Sequence, residues 1–217
     1  MKIFSEKYLD QVADIYDQMD QAYSKSAKAY DFVCNGCEDN CCHTHFFHHT
    51  HIEFGYLVKG LRQLSVSQQE QVVETAHEVY KKSQELLAEN KRVWLLCPLN
   101  EQGKCMLYHY RPMICRLHGI AHELKFPGKP VQYTPGCEAF SQHFKALNLN
   151  NYYTLDRTPH YMRMARLEQQ FISEYHIKNR FKKTIAEMLI LPWQNNDSVL
   201  TTCFQAHLPQ EASGHSE

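Results

Sequence analysis

The chain has 217 residues, enough to bury a core without cross-links, and its 23 basic and 24 acidic residues nearly cancel. That balance offers no electrostatic drive toward nucleic acid or an anionic membrane, so a polyanion binder is the least favoured function class. Nine cysteines remain to be explained, since a chain of this length does not need them to fold.

In chain order, the N-terminal stretch MKIFSEKYLDQVADIYDQMD mixes acids and lysines where a secretory leader needs an apolar core. No later run approaches the roughly 18 apolar residues of a membrane span. A soluble cytoplasmic protein is expected, with its thiols reduced. From Ser5 to about Tyr30, apolar residues at Tyr8, Val12, Tyr16, Met19, Tyr23, Ala27 and Tyr30 repeat every three or four positions, the stripe of an amphipathic helix. Thr50-His-Ile-Glu53 reads as a capping box opening a second helix through Phe54, Leu57, Val58, Leu61 and Leu64. Ser67-Gln-Gln-Glu70 reads as another, opening a third whose stripe runs Val72, Val73, Ala76, Val79, Tyr80, Ser83, Leu86 and Leu87. The tight turn between them predicts an antiparallel helical hairpin.

Between Val93 and Cys137, five prolines and four glycines exclude long elements, apart from a short helix between Pro112 and Gly119. Helical patterning returns over Cys137 to Leu147, Pro159 to Tyr175 and Phe181 to Leu191, and the polar end QEASGHSE reads as a frayed tail. The expected architecture is mainly α: a single helical domain with an irregular cysteine-rich metal-binding segment. Its parts are a scaffold helix (1–33), a cysteine-cluster region (34–137), C-terminal helices (138–204) and a disordered tail (205–217).

Eight cysteines form two groups in the sequence, Cys34, Cys37, Cys41 and Cys42, then Cys97, Cys105, Cys115 and Cys137, with Cys203 apart. Cys34-Asn-Gly-Cys37 has the two-residue gap that aims two sulfurs at one centre, and Gly36 gives the turn its backbone freedom. Nine is odd, so a complete disulfide set would leave one over, and metal ligation is preferred to disulfides or free buried thiols. On the short helix, steps of four and three predict that Arg111, Cys115 and His118 share a face. Four thiolates on a divalent ion carry a net charge of about −2, which Arg111, Arg116 and His118 would offset. His43, His45, His48, His49 and His51 follow Cys42 directly; imidazole suits zinc or iron, but polar residues also gather at helix starts.

The runs CNGCEDNCC, CPLNEQGKCMLYHYRPMICR and PGC together resemble the YkgJ-type cysteine-cluster family, a zinc- or iron-chelating domain with eight characteristic cysteines. The likeness spans about residues 34 to 137. It implies that Cys34, Cys37, Cys41, Cys42, Cys97, Cys105, Cys115 and Cys137 are metal ligands and that Cys203 is not. The chain departs from the pattern in the three-residue gap before Cys41-Cys42, in His109 where an acidic residue is common, and in the histidine run. The implied function is binding of zinc or an iron–sulfur cluster. The alternative is an iron–sulfur-dependent enzyme, since a flagellin lysine methylase has a related cysteine pattern. Arg111, Arg116, His118 and Glu138 would then be the candidates for substrate contact. The chain has neither a G-x-G-x-x-G loop nor the cysteine spacing of a radical methionine-cofactor enzyme.

Overall fold

The computed structural model describes residues 4–34, 41–43, 45–147 and 153–191. Cys37, Cys203 and the tail expected to be disordered lie outside them. The described chain is mainly helical, and no helix in it is long and apolar enough to cross a membrane.

Helix α1 spans Glu6–Ala29 and buries Tyr8, Val12, Tyr16, Met19 and Ala27 of the predicted stripe, with Leu9 and Ile15 beside them. Two more helices follow, α2 over His51–Leu61 and α3 over Val66–Ala88. Thr50 caps α2 as expected, its hydroxyl accepting from the Glu53 amide. The cap of α3 lies two residues earlier than predicted: Ser65 and Gln68 form the capping box, not Ser67 and Glu70. Both frames satisfy the pattern, and in the earlier one the Gln69 side chain donates to the Leu64 carbonyl at 2.8 Å.

Two short sheets carry the irregular segment. Strands β1 (Asn100–Glu101) and β2 (Lys104–Cys105) form a hairpin turned by Gln102 and Gly103, both with positive φ, as the tight hairpin turn requires. After the short helix α4 (Met113–Arg116), β3 (His122–Leu124) lies between β4 (Gln132–Thr134) and β5 (Leu155–Asp156), antiparallel to the first and parallel to the second. The remaining helices are α5 (Glu138–Ala146), α6 (Thr158–Glu174) and α7 (Ile185–Ile190). The last begins four residues after the predicted Phe181, because Thr184 and Glu187 form a capping box that sets its start.

Three long helices end alike. After α1, α3 and α6 the next-but-one residue, Asp31, Asn90 or His176, adopts positive φ. The following amide then reaches back to the third-last helical carbonyl: Phe32 to Ala27, Lys91 to Leu86 and Ile177 to Ile172. At α1 this reversal sets Phe32 against Phe140 of α5, with ring centroids 5.1 Å apart, and directs the chain toward Cys34.

The main core lies where α1 meets α6 and α2, and it is aromatic. Phe171 stacks on Phe4 at 5.3 Å and meets Tyr8 edge-on at 5.2 Å. Gly55 permits this approach, since a Cβ there would strike the Phe4 ring. The expected hairpin of α2 and α3 is not the packing observed: α3 lies chiefly along α7, and α2 against α1, α6 and the turn at Tyr108–Tyr110. The α3 stripe is wider than the short α7 can cover, so Tyr80 and Leu87 stay exposed.

Candidate metal centre

The hairpin, α4 and the loop before α2 converge on one cavity of about 70 Å³ beside the contact of α3 with α7. One wall is sulfur: Cys41, Cys42, Cys97, Cys105 and Cys115. Apolar side chains also line the cavity: Val79 of α3, Val93, Leu95, and Ile185 and Ala186 of α7. Local structure brings the sulfurs together. The Cys97 amide donates to the Cys42 carbonyl at 2.7 Å, which ties the loop before α2 to the strand-like segment leading into β1. The Asn100 amide donates to the Cys97 carbonyl at 2.9 Å, and the register of β1 and β2 pairs Asn100 with Cys105.

This grouping crosses the two clusters seen in sequence. Cys41 and Cys42 join Cys97, Cys105 and Cys115, whereas Cys34 and Cys137 do not line the cavity. These two stand near Tyr23, where burial first and then both sulfurs raise the phenol's pKa. Cys137 is the N-cap of α5, its sulfur accepting from the Phe140 amide at 3.4 Å. All seven described cysteines are unbridged.

The thiols act on one another. Cys41 donates a hydrogen bond to Cys42, which raises its own pKa and lowers that of Cys42 to about 6. Burial, then the sulfurs of Cys105 and Cys42, pushes Cys115 up to about 12. Burial likewise pushes Cys105 to about 11, with Cys42 adding to it, and Cys97 well above the ordinary thiol value. Without a cation among them, Cys41, Cys97, Cys105 and Cys115 are held as thiols, whereas Cys42 is the thiolate of the group near pH 7. Arg111 lines the same cavity and its charge lowers Cys41, Cys42, Cys105 and Cys115.

Arg111 is held in place by its Nε donating to the Tyr108 carbonyl at 3.0 Å and by its guanidinium lying 3.7 Å over the Tyr108 ring. Arg116, grouped with it in the sequence reading, has a different task. It is 4 % exposed, pairs with Asp20 of α1 at 2.5 Å, lies over the Tyr16 ring and donates to the carbonyls of Arg111 and His109. Arg116 therefore braces the loop that presents Arg111. His118 shares no face with Cys115, because α4 ends at Arg116; its ring meets Phe46 edge-on at 5.7 Å. Glu138 is exposed in the first turn of α5, where Gln142 donates to it.

The five histidines after Cys42 separate into distinct environments. His51 pairs with Glu168 of α6 at 2.6 Å, and the same carboxylate accepts from the amides of His51 and Ile52 at the start of α2. His49 is exposed. His43, His45 and His48 line the cavity, and among the described residues His43 Nδ1 and His48 Nε2 are buried without a hydrogen-bond partner. Burial, with His49 adding to it, lowers His48 to about 4, so its ring is neutral near pH 7.

The donor set fits a soft or borderline metal: thiols, imidazoles and a guanidinium to balance charge, in a space larger than one ion. Among the described residues, no three Cys, His, Asp or Glu side chains already stand as a metal-holding group. The sequence does not single out the apolar residues that line the cavity; Val79 and Ser83 are legible there only as part of the α3 stripe.

No protein family, no curated protein and no solved structure matches the chain. The reading of the site therefore stands on its own residues.

Proposed function

We propose that the protein binds zinc or an iron–sulfur centre in the cavity between its β1–β2 hairpin and α7, as the likeness to the YkgJ-type family implies. The observation that carries this reading is the convergence of five thiols from three chain segments on one cavity, with Arg111 beside them. Cys41, Cys42, Cys97, Cys105 and Cys115 are the candidate ligands there, and Cys37 of the same motif lies outside the described residues. Cys34 and Cys137 gather separately near Tyr23 and are the weaker candidates. Bound zinc would supply a rigid cross-link, and an iron–sulfur cluster an electron-accepting centre. The chain's own part is to collect the thiols, oppose their charge with Arg111 and exclude water with the apolar lining.

Differential alkylation read by mass spectrometry tests this. Metal loading should protect Cys41, Cys42, Cys97, Cys105 and Cys115 together and leave Cys203 reactive. Equal reactivity of the five with and without metal would refute the proposal.

A further inference from the structure

We infer that His48 is a nitrogen ligand of this metal centre, making it a mixed thiolate–imidazole site; the inference rests on the metal-binding reading above. Three observations support it. His48 is 3 % exposed and lines the cavity that holds the five thiols, while its Nε2 has no hydrogen-bond partner among the described residues. A buried polar nitrogen left unpaired is costly, so an imidazole persisting in an apolar setting signals a partner yet to arrive.

The second observation is placement. The His48 amide donates to the Lys183 carbonyl at 2.7 Å and the Lys183 amide returns the bond to the His48 carbonyl at 3.0 Å. This bridge fixes the backbone of His48 against the residue preceding the capping box of α7, whose start also lines the cavity. No such fixing holds His49, which is exposed, and His51 is already bonded to Glu168.

The third is charge. Arg111 is the one Lys or Arg side chain among the described residues lining the cavity. A divalent ion with four thiolates carries about −2, and one guanidinium leaves a negative charge uncompensated in a low-dielectric space. Replacing one thiolate by a neutral imidazole brings the centre to about −1, which Arg111 balances. Five sulfurs around one cavity then include more than the centre requires, and the hydrogen-bonded pair of Cys41 and Cys42 can supply one ligand and one donor to it.

The test is X-ray absorption on the full chain, purified without oxygen and without a metal-binding tag, at the edge of whichever of zinc or iron it carries. The expected wild-type spectrum contains sulfur and one imidazole. His48→Gln should lose the imidazole and weaken metal binding at least about tenfold, the lower end of what loss of even an outer partner costs. His49→Gln should change neither. If His48→Gln does not fold, His43→Gln and His45→Gln carry the test, because the imidazole must survive in both. An all-sulfur shell in the wild type, an imidazole that persists in His48→Gln, or one lost in His43→Gln or His45→Gln overturns the inference while leaving metal binding intact. A protein that holds and takes up no metal overturns both.

Discussion

Two buried regions of this molecule treat polar groups in opposite ways. In the core between α1, α2 and α6, buried polar side chains are matched: Tyr16 donates to Glu53 at 3.1 Å, Thr50 donates to Glu53 at 2.6 Å, and His51 pairs with Glu168. In the thiol cavity, imidazole nitrogens of His43 and His48 lack hydrogen-bond partners among the described residues, and burial holds several sulfurs protonated. The first arrangement stabilises a unique packing. The second costs stability, a cost that a bound cation would offset under the proposed function.

Mutations can sharpen this contrast, and the largest effect belongs to the scaffold. Phe171→Ala removes a fully buried ring that meets Phe4, Tyr8 and Tyr175. It should cost about 3–5 kcal/mol in denaturant unfolding, with or without metal. Next, Glu53→Ala strips the acceptor from Tyr16, Thr50 and the Met113 amide at 2.7 Å, and should cost about 3 kcal/mol. Because that amide opens α4, which carries Cys115, the same variant should also weaken metal retention. Intact metal binding in Glu53→Ala would mean the scaffold does not position the site.

Acid should act through the cavity. His48 is depressed from 6.5 to about 4 in the folded state, so the unfolded chain binds the proton first as pH falls. Stability of the metal-free protein therefore holds above pH 6.5 and declines toward pH 4, by on the order of 3 kcal/mol for this group. His122, also lowered to about 4 by burial and then by Arg157, adds in the same direction. Thermal melts across that range should show the decline, reduced in His48→Gln. The smallest effect is expected for Cys115→Ser without metal, under about 1 kcal/mol, set against a large loss of metal binding. A metal-free Cys115→Ser as damaged as Phe171→Ala would make the thiols part of the scaffold.

The scaffold was largely legible in the sequence and the site only partly. The α1 stripe and the cap at Thr50 are local features, so periodicity and residue type find them. The partner of α3 is decided by α7, about a hundred residues onward, and a tight turn after α2 says nothing about it. Five of the eight clustered cysteines line one cavity, a grouping that their spacing does not give. Cys42 meets Cys97 through a backbone hydrogen bond spanning 55 residues, and Cys105 reaches the same place through a hairpin whose register no spacing rule gives. Arg116 read as a companion of Arg111 because the two are close in sequence, and its partner Asp20 lies 96 residues away. The five histidines looked equivalent because what separates them is burial and the positions of Glu168 and Lys183.

The most direct test of the central claim is metal content with visible absorption, on the full chain purified without oxygen or a metal-binding tag, beside Cys115→Ser. The account predicts zinc in whole-number stoichiometry without colour, or iron with acid-labile sulfide and a broad band near about 400 nm, in either case largely lost in the variant. Wild-type protein that contains neither metal and takes up neither on reconstitution, or a Cys115→Ser variant that retains the full complement, would contradict it.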